Sequence, residues 1–223
     1  MTKSTLIHLR FPFSYFLMPV FMLSLATSNH VIVWKAVLSF IIIHLFLFTA
    51  SNGFNSYYDR DTESIGGIEK PPVVTPDLLW VTLLFDLIAV ILAFIISPIF
   101  SLGIFLYGIG SKLYSWDQVR LKRKPIVSWL AVGFFQGFII FVLSYGSFDS
   151  GGYSGIIHSS VYLPAILCSL FMLGAYPMTQ IYQHREDRRR GDRTISMLLG
   201  IRGTFILTSI VFLIVLISFV FYY

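Results

Sequence analysis

Residues 33–52 read "VWKAVLSFIIIHLFLFTASN", a run that is almost wholly apolar. A helix of about 20 such residues crosses the hydrocarbon core of a bilayer. Of the 223 residues in the chain, 56% are hydrophobic and only 12% are charged, whereas soluble domains carry about twice that share of charge. Backbone polar groups must be satisfied within lipid, and no segment shows the alternation of barrel strands. The sequence therefore predicts an all-α integral membrane protein, a polytopic helical bundle.

Further apolar runs predict about seven transmembrane helices in a single domain, residues 1–223. The third and fourth helices are separated at Ser97 and Pro98, because the restriction on a residue before proline favours a turn there. The predicted spans are residues 11–27, 33–52, 78–97, 98–114, 126–146, 160–181 and 203–222.

The basic residues predict the orientation of these helices. With the N-terminus in the cytoplasm, Lys35 is the only one of the 16 Lys and Arg residues that falls near the outer side. The positive-inside rule therefore predicts a multi-pass protein of the cell (inner) membrane with a cytoplasmic N-terminus. Cytoplasmic loops that face anionic lipids or an anionic substrate explain the net charge of +5, which requires no nucleic acid.

Three predicted cytoplasmic loops hold most of the polar chemistry. They are residues 53–76, 115–125 and 182–202. Of the 11 acidic residues, only Asp86 and Asp149 lie away from these loops. Asp86 falls inside a predicted span, where an ionisable group is functional or paired. A structural pair with Lys35 or Lys112 is the favoured interpretation, so we expect the function to lie in the loops.

The first loop contains "NSYYDRDTE", residues 55–63. Asn55, Asp59 and Glu63 recur every four residues and would share one face if the second helix continued through them. Oxygen ligands at that spacing suit a hard cation such as Mg²⁺. His44 and Asn52 extend the polar stripe into the membrane, where such a stripe usually lines a cavity. The alternative is a solvated helix end with stray charges.

The third loop, "QIYQHREDRRRGDRT", mixes acids with five arginines. Acids can hold a cation while arginines bind phosphate oxygens in pairs, although Arg189 and Arg190 fit a positive-inside anchor equally well. The middle loop, "YSWDQVRLKRKP", adds a basic cluster behind Tyr114. Together the loops predict a site that binds a diphosphate through Mg²⁺ at the cytoplasmic surface. Since the bundle behind it can accept a long hydrocarbon tail, an isoprenyl diphosphate fits both parts.

At these motifs the chain resembles the UbiA superfamily of intramembrane prenyltransferases. "NSYYDRDTE" is similar to the family's first signature, N-D-x-x-D-x-x-x-D, and "EDRRRGDRT" is similar to the closing part of its second. "YSWDQVRLKRKP" resembles the segment Y-S-x-P-x-x-L-K, "EKPP" resembles the step after the first signature, and "LRFPFSYFLMP" resembles the family's opening. The resemblance runs in order from residue 8 to about residue 202.

The resemblance implies Mg²⁺-dependent transfer of a prenyl group from an isoprenyl diphosphate to an acceptor. The acceptor is expected to be aromatic, as in quinone, haem or pigment biosynthesis, and membrane lipids are the other expected partner. Asp59 and Asp187 are implied to be catalytic, and the implied metal ligands are Asn55, Asp59, Glu63 and Asp187. The residues implied in substrate binding are Arg10, His44, Asn52, Lys70, Tyr114, Lys122, Gln180, Gln183, Arg188 and Arg193.

The chain also departs from the family pattern. Glu63 stands where the family has Asp, which lengthens that ligand arm. Gln180 and Gln183 stand where the family usually has acids, seven and four residues before Asp187. A weaker second Mg²⁺ site is therefore expected. The family has nine helices against the seven predicted here, which suggests a chain truncated at its C-terminal end.

These departures keep a second hypothesis open, a membrane protein that binds prenyl or lipid phosphates with impaired catalysis, or a structural subunit of a membrane complex. The two glutamines and the smaller number of helices favour it. The intact Asn55, Asp59, Glu63 and Asp187 favour an enzyme. A small transporter, the third hypothesis, predicts internal repeats and broken midplane helices, and the sequence shows neither strongly.

Overall fold

The computed structural model is a bundle of α-helices. It describes residues 1–60, 62–66, 68–157 and 159–222, so Asp61, Gly67, His158 and Tyr223 lie outside the described residues. Within these ranges the extended structure consists of two isolated β-bridges, Val31 with Asp149 and Ile65 with Ile68. The predicted all-α membrane bundle is confirmed.

Most of the helices follow one another with short connections, and the connection between α5 and α6 is long. They are α1 (Lys3–His8), α2 (Phe11–Ser14), α3 (Met18–Thr27), α4 (Val33–Phe40), α5 (Phe48–Asp59), α6 (Asp77–Ile96), α7 (Pro98–Ser115), α8 (Pro125–Val132), α9 (Ile140–Phe148), α10 (Ser159–Gln180), α11 (His184–Arg190) and α12 (Ile195–Tyr222). Two π-helical segments, Ile41–Leu47 and Gly133–Ile139, join α4 to α5 and α8 to α9. Turns of 3₁₀ helix lie at Tyr15–Leu17, Leu121–Arg123, Gly152–Ile157 and Ile181–Gln183.

In the described part of the chain, six helical stretches are long and apolar enough to cross a membrane. They are Lys3–Thr27, Val33–Asp59, Asp77–Ile96, Pro125–Phe148, Ser160–Arg190 and Ile195–Tyr222. The helix α7, with 18 residues, is a seventh long helix and is less apolar than α6. The seven predicted helices therefore correspond to these six spans and α7.

Several helices continue past the boundaries that hydropathy predicts. The span Val33–Asp59 ends at Asp59 rather than near residue 52, and the span Ser160–Arg190 continues to Arg190 rather than residue 181. Both extensions are polar. They lie beyond the apolar part of each helix, and residues of both line a cavity. Apolar runs mark contact with lipid, whereas a helix ends where its backbone hydrogen bonding ends.

The helix α5 stops because Arg60 adopts a left-handed conformation, with φ 48° and ψ 39°. Asn55 and Asp59, which precede Arg60 in α5, lie on one helical face as the spacing predicts. Glu63 comes after the end of the helix. The face expected to carry three ligands therefore carries two.

Close helix contacts hold the rest of the bundle. A Cβ atom at Gly137 would lie 2.5 Å from the backbone of Ser169, so the π-helical segment and α10 cross with their backbones in contact. Asp86 of α6 forms an ion pair with Lys112 of α7. The sequence left either Lys35 or Lys112 as the partner of Asp86. The structure pairs Asp86 with Lys112, and this ion pair links the two helices.

Candidate active site

One cavity of about 270 Å³ brings the predicted loops together. Its walls come from α5, α7, α8, the π-helical segment after α8, and the region where α10 passes into α11. Nine of the residues predicted from the sequence line it. These are Arg10, Asn52, Asn55, Asp59, Tyr114, Lys122, Gln180, Gln183 and Asp187.

The other predicted residues lie outside the lining of this cavity. Glu63 is held by Arg185, with an Nη1–Oε1 distance of 3.0 Å, and lies 3.5 Å from Arg189. Lys70, Arg188 and Arg193 have exposed side chains. The predicted residues thus fall into two groups, those that line the cavity and charged residues that lie outside its lining.

His44 also lies outside the lining, in a cluster of aromatic rings. Its imidazole stacks on Phe40 at 4.3 Å between centroids and meets Phe21 and Phe48 edge-on. Its Nδ1 lies 3.2 Å from the Phe40 carbonyl oxygen. Phe48 in turn contacts Tyr107, which does line the cavity. His44 therefore supports the wall from behind.

Asp59 is buried at 5% exposure, at the centre of an ion-pair network. Its Oδ1 accepts a hydrogen bond from Arg120 at 3.0 Å, and its Oδ2 accepts one from Lys122 at 2.7 Å. Arg190 donates to the Asp59 backbone carbonyl. Charge-assisted hydrogen bonds to both oxygens fix the orientation of this carboxylate.

Asp192 anchors the same network from the third loop. It accepts two bonds from Arg120, at 2.9 Å from Nε and 2.7 Å from Nη2, and one from Arg123 at 3.1 Å. Burial alone would raise the pKa of Asp192, but the Arg120 hydrogen bonds and the charges of Lys122 and Arg120 outweigh it and lower that pKa. Burial would likewise lower the pKa of Arg120, and the bond to Asp192 with the charge of Asp59 raises it instead.

Several other polar groups of the cavity are positioned by neighbouring backbone and hydroxyl groups. Asn55 donates to the Ser115 hydroxyl at 3.0 Å, which ties α5 to the end of α7. Arg10 donates to the Asn52 carbonyl at 3.1 Å and stacks over Phe13. Tyr114 and Tyr176 hydrogen-bond through their hydroxyls. These contacts fix the polar groups at the surface of the cavity.

The oxygen donors at this cavity suit a magnesium ion that arrives with a diphosphate. Asp59 and Asp187 supply carboxylates, and Asn55, Gln180 and Gln183 add amide oxygens. Among the described residues no group of three or more His, Cys, Asp or Glu side chains converges on one point. Mg²⁺ keeps several waters and binds through one or two carboxylates plus substrate phosphates. The donor set therefore fits Mg²⁺ shared with a phosphorylated ligand.

A model of the UbiA prenyltransferase family matches residues 16–223. The chain belongs to this family. The structure of a UbiA homolog from Archaeoglobus fulgidus bound to DMAPP and Mg²⁺ is similar, with a TM-score of 0.72 at 17% identity over 98% of this chain and 77% of that one. A UbiA homolog from the same organism bound to GPP and Mg²⁺ gives 0.71 at 18% identity, with the same coverage.

The likeness to these structures, at so low an identity, shows the fold. No curated protein sequence matches the chain. Family membership makes prenyl transfer the general activity of proteins of this kind. What this chain itself binds and transfers has to be argued from its cavity.

Sequence reasoning did not single out Arg120, Asp192 or Tyr176 as site residues. Tyr176 could have been found, because Tyr176, Gln180, Gln183 and Asp187 recur at helical spacing and all line the cavity. Arg120 had no such signal, because it is one of four basic residues in a short loop. Only the fold shows that Arg120, at 1% exposure, is the most buried of the four.

Proposed function

We propose that this protein is a Mg²⁺-dependent prenyltransferase that transfers the prenyl group of an isoprenyl diphosphate to an aromatic acceptor. The observation that carries the proposal is a single cavity with carboxylate and amide oxygens, cationic side chains and aromatic walls. The oxygens suit the metal, the cationic side chains suit the diphosphate, and the aromatic walls suit the prenyl chain. The family match and the ligands of the Archaeoglobus fulgidus homologue support this assignment.

Asp59 and Asp187 are the proposed metal ligands, with Asn55 as a neutral oxygen donor. When bound, Mg²⁺ acts as a Lewis acid that stabilises charge on the departing diphosphate. Lys122 and Arg10 line the same cavity and are the proposed phosphate-binding groups. Their charges favour the diphosphate both on binding and as it leaves.

The apolar part of the cavity is the proposed site of the prenyl chain. Tyr107, Phe135, Tyr114 and Tyr176 line it, and the first two rings meet edge-on with 6.2 Å between centroids. Aromatic faces attract cations, so these walls suit an allylic carbocation and exclude water that would quench it. An acceptor with an electron-rich ring fits the same aromatic surface.

We place the cavity at the cytoplasmic side of the cell (inner) membrane. The loops around it carry nearly all the Lys and Arg residues, which supports that orientation. Protein tagged at Lys3 in closed vesicles provides the test, since a cytoplasmic N-terminus is protected from added protease in right-side-out vesicles.

Turnover by purified protein tests the proposed reaction. We expect diphosphate release and a prenylated product when geranyl or geranylgeranyl diphosphate is offered with Mg²⁺ and a panel of hydroxylated aromatic acids and quinols. EDTA should abolish both. Asp59→Ala should give no product while eluting as a folded protein on gel filtration.

A second candidate, a binding protein without turnover, is favoured by one observation. Gln180 and Gln183 line the cavity where acids would add negative charge. Mg²⁺-dependent binding of geranyl diphosphate without diphosphate release, across the whole acceptor panel, would favour this candidate over the enzyme.

A further inference from the structure

Arg120 connects all three cytoplasmic loops without lining the cavity. Its side chain is fully buried and bonds Asp59 at the end of α5, Asp117 in its own loop and Asp192 in the third loop. The cavity lining includes Asp59 but neither Arg120 nor Asp192. Arg120 therefore reaches Asp59 from behind the cavity.

Every nitrogen of the Arg120 guanidinium has a partner. Nε and Nη2 form a two-bonded fork with Asp192, and Nη2 also donates to Asp59 Oδ1 at 3.0 Å. Nη1 donates to Asp117 at 2.8 Å and lies 3.4 Å from the Ser115 carbonyl. A planar guanidinium that donates from every nitrogen fixes the positions of its acceptors. The ammonium group of a lysine, a single point charge, cannot do so.

The backbone of Arg120 supports this fixed placement. Its φ of 41° lies in the left-handed region, which costs free energy for a side chain of this size. Its amide donates to the Trp116 carbonyl at 2.7 Å, and its own carbonyl accepts from Arg123 at 3.0 Å. Such a conformation persists only where surrounding contacts hold it. Here the side-chain contacts to Asp59, Asp117 and Asp192 provide them.

The two oxygens of Asp59 face different partners. Oδ1 is held by buried Arg120, whereas Oδ2 accepts from Lys122, and Lys122 lines the cavity. Lys122 also lies 3.4 Å from Asp192. A lysine at the cavity surface can move to another anion with little cost, because its head is a point charge on a flexible stem.

We propose that Arg120, anchored by Asp192, is a positioning residue that holds Asp59 Oδ1 so that Oδ2 is presented to the metal of a Mg²⁺–diphosphate ligand. Lys122 is the exchangeable partner, which leaves Oδ2 and takes a phosphate oxygen when the ligand enters. The proposal rests on the function proposed above. It assigns to Arg120 an effect on metal affinity although Arg120 touches neither metal nor diphosphate.

Arg123 provides a matched control. It also bonds Asp192, at 3.1 Å, but its side chain is 49% exposed. None of its described contacts is with Asp59. Arg123→Gln therefore removes one arginine bond to Asp192 and leaves the link from Arg120 to Asp59 intact.

The test is calorimetric titration of geranyl diphosphate at a series of Mg²⁺ concentrations, with thermal unfolding measured in the same detergent. The variants are Arg120→Gln, Arg120→Lys and Asp192→Asn beside Arg123→Gln. We expect Arg120→Gln and Asp192→Asn to weaken the apparent Mg²⁺ affinity about 10- to 100-fold, the usual effect of losing a partner that orients a metal ligand. Arg120→Lys should recover part of the loss, and Arg123→Gln should stay within about twofold of the wild type.

Folded Arg120→Gln protein with wild-type Mg²⁺ affinity would overturn the proposal. If Arg120→Gln does not fold, Arg120→Lys decides on the same criterion, because it retains the charge but not the fork. Wild-type protein that fails to bind geranyl diphosphate with Mg²⁺ contradicts the proposed function instead. The two failures are therefore distinguishable in one set of titrations.

Discussion

The two halves of the candidate site face the same cavity but are built differently. Asn55 and Asp59 stand on one face of α5, and the Asp59 carboxylate is fixed by two cations. Gln180 and Asp187 lie on either side of the turn Ile181–Gln183 between α10 and α11. The first half is a helix end with a buried ion network, whereas the second half includes a 3₁₀ turn within one long helical stretch.

The difference in charge follows the difference in geometry. The second half offers one carboxylate, Asp187, together with the neutral Gln180 and Gln183. Gln180 is partly engaged, since its Oε1 accepts from the Ser196 amide at 3.3 Å. Affinity for a hard cation follows the number of charged ligands and the rigidity of the site. Metal binding should therefore depend more on the first half than on the second.

The largest effect is expected from the anchor of the first half. Asp192→Asn leaves Arg120 buried beside a neutral amide, and breaking a buried pair in this way typically costs about 3–5 kcal/mol of unfolding free energy. Thermal unfolding in detergent near neutral pH measures the loss. An unchanged unfolding temperature would mean that the network does not stabilise the first half.

The same anchor predicts a dependence on pH. The folded protein lowers the pKa of Asp192, so its contribution to stability is present above the unfolded value of about 3.9 and is lost as pH falls through the folded value. The stability difference between wild type and Asp192→Asn should therefore shrink below about pH 4. A difference that grows on acidification would contradict this assignment.

The next effect concerns Asp59, the proposed metal ligand of the first half. Asp59→Asn keeps the size of the side chain and removes its charge, so we expect the Mg²⁺-dependent affinity for geranyl diphosphate to fall about 100-fold or more. Calorimetric titration measures it. Asp117→Asn is the control, because Asp117 also bonds Arg120 but is half exposed and lies outside the cavity lining.

A smaller loss is expected in the second half. Asp187→Asn should weaken the same binding about 10-fold, because neutral amides line the cavity beside Asp187, whereas a buried ion network orients Asp59. The comparison between the halves fails if Asp187→Asn costs as much as Asp59→Asn or more.

A gain of function would sharpen the comparison further. Gln183→Asp returns a carboxylate to the second half, and we expect the apparent Mg²⁺ affinity to rise about three- to tenfold. Gln183→Ala serves as the control, since it changes size without adding charge. If the two variants behave alike, a shortage of charge is not what weakens this half.

The smallest effect is expected at Glu63. It lies beyond the end of α5 and pairs with Arg185 on the surface. Exposed ion pairs contribute about 0–1 kcal/mol. Glu63→Gln should therefore leave Mg²⁺-dependent binding within about twofold of the wild type. A loss as large as that of Asp59→Asn would make Glu63 a ligand after all.

Much of this architecture could be predicted from the sequence. The apolar runs mark where helices meet lipid, and the spacing of Asn55 and Asp59 on a helix face holds in the structure. The grouping of nine predicted residues around one cavity follows from three loops that end on one side of the bundle. Periodicity and charge placement are properties of the chain itself, so they can be read without a structure.

What could not be predicted depends on how side chains meet in space. Whether α5 continues to Glu63 was decided by the left-handed Arg60, and arginine has no intrinsic preference for that conformation. Arg120 is buried and Lys124 is exposed within the same basic stretch. Only the packing of Asp59 and Asp192 distinguishes the two.

The cavity is proposed to bind an isoprenyl diphosphate through Mg²⁺. Calorimetric titration of geranyl diphosphate into purified wild-type protein, first with Mg²⁺ and then with EDTA, tests it most directly. We expect saturable binding in Mg²⁺ with one ligand per chain, and its loss in EDTA. Equal binding in both conditions, or no binding of geranyl or geranylgeranyl diphosphate in either, would contradict it.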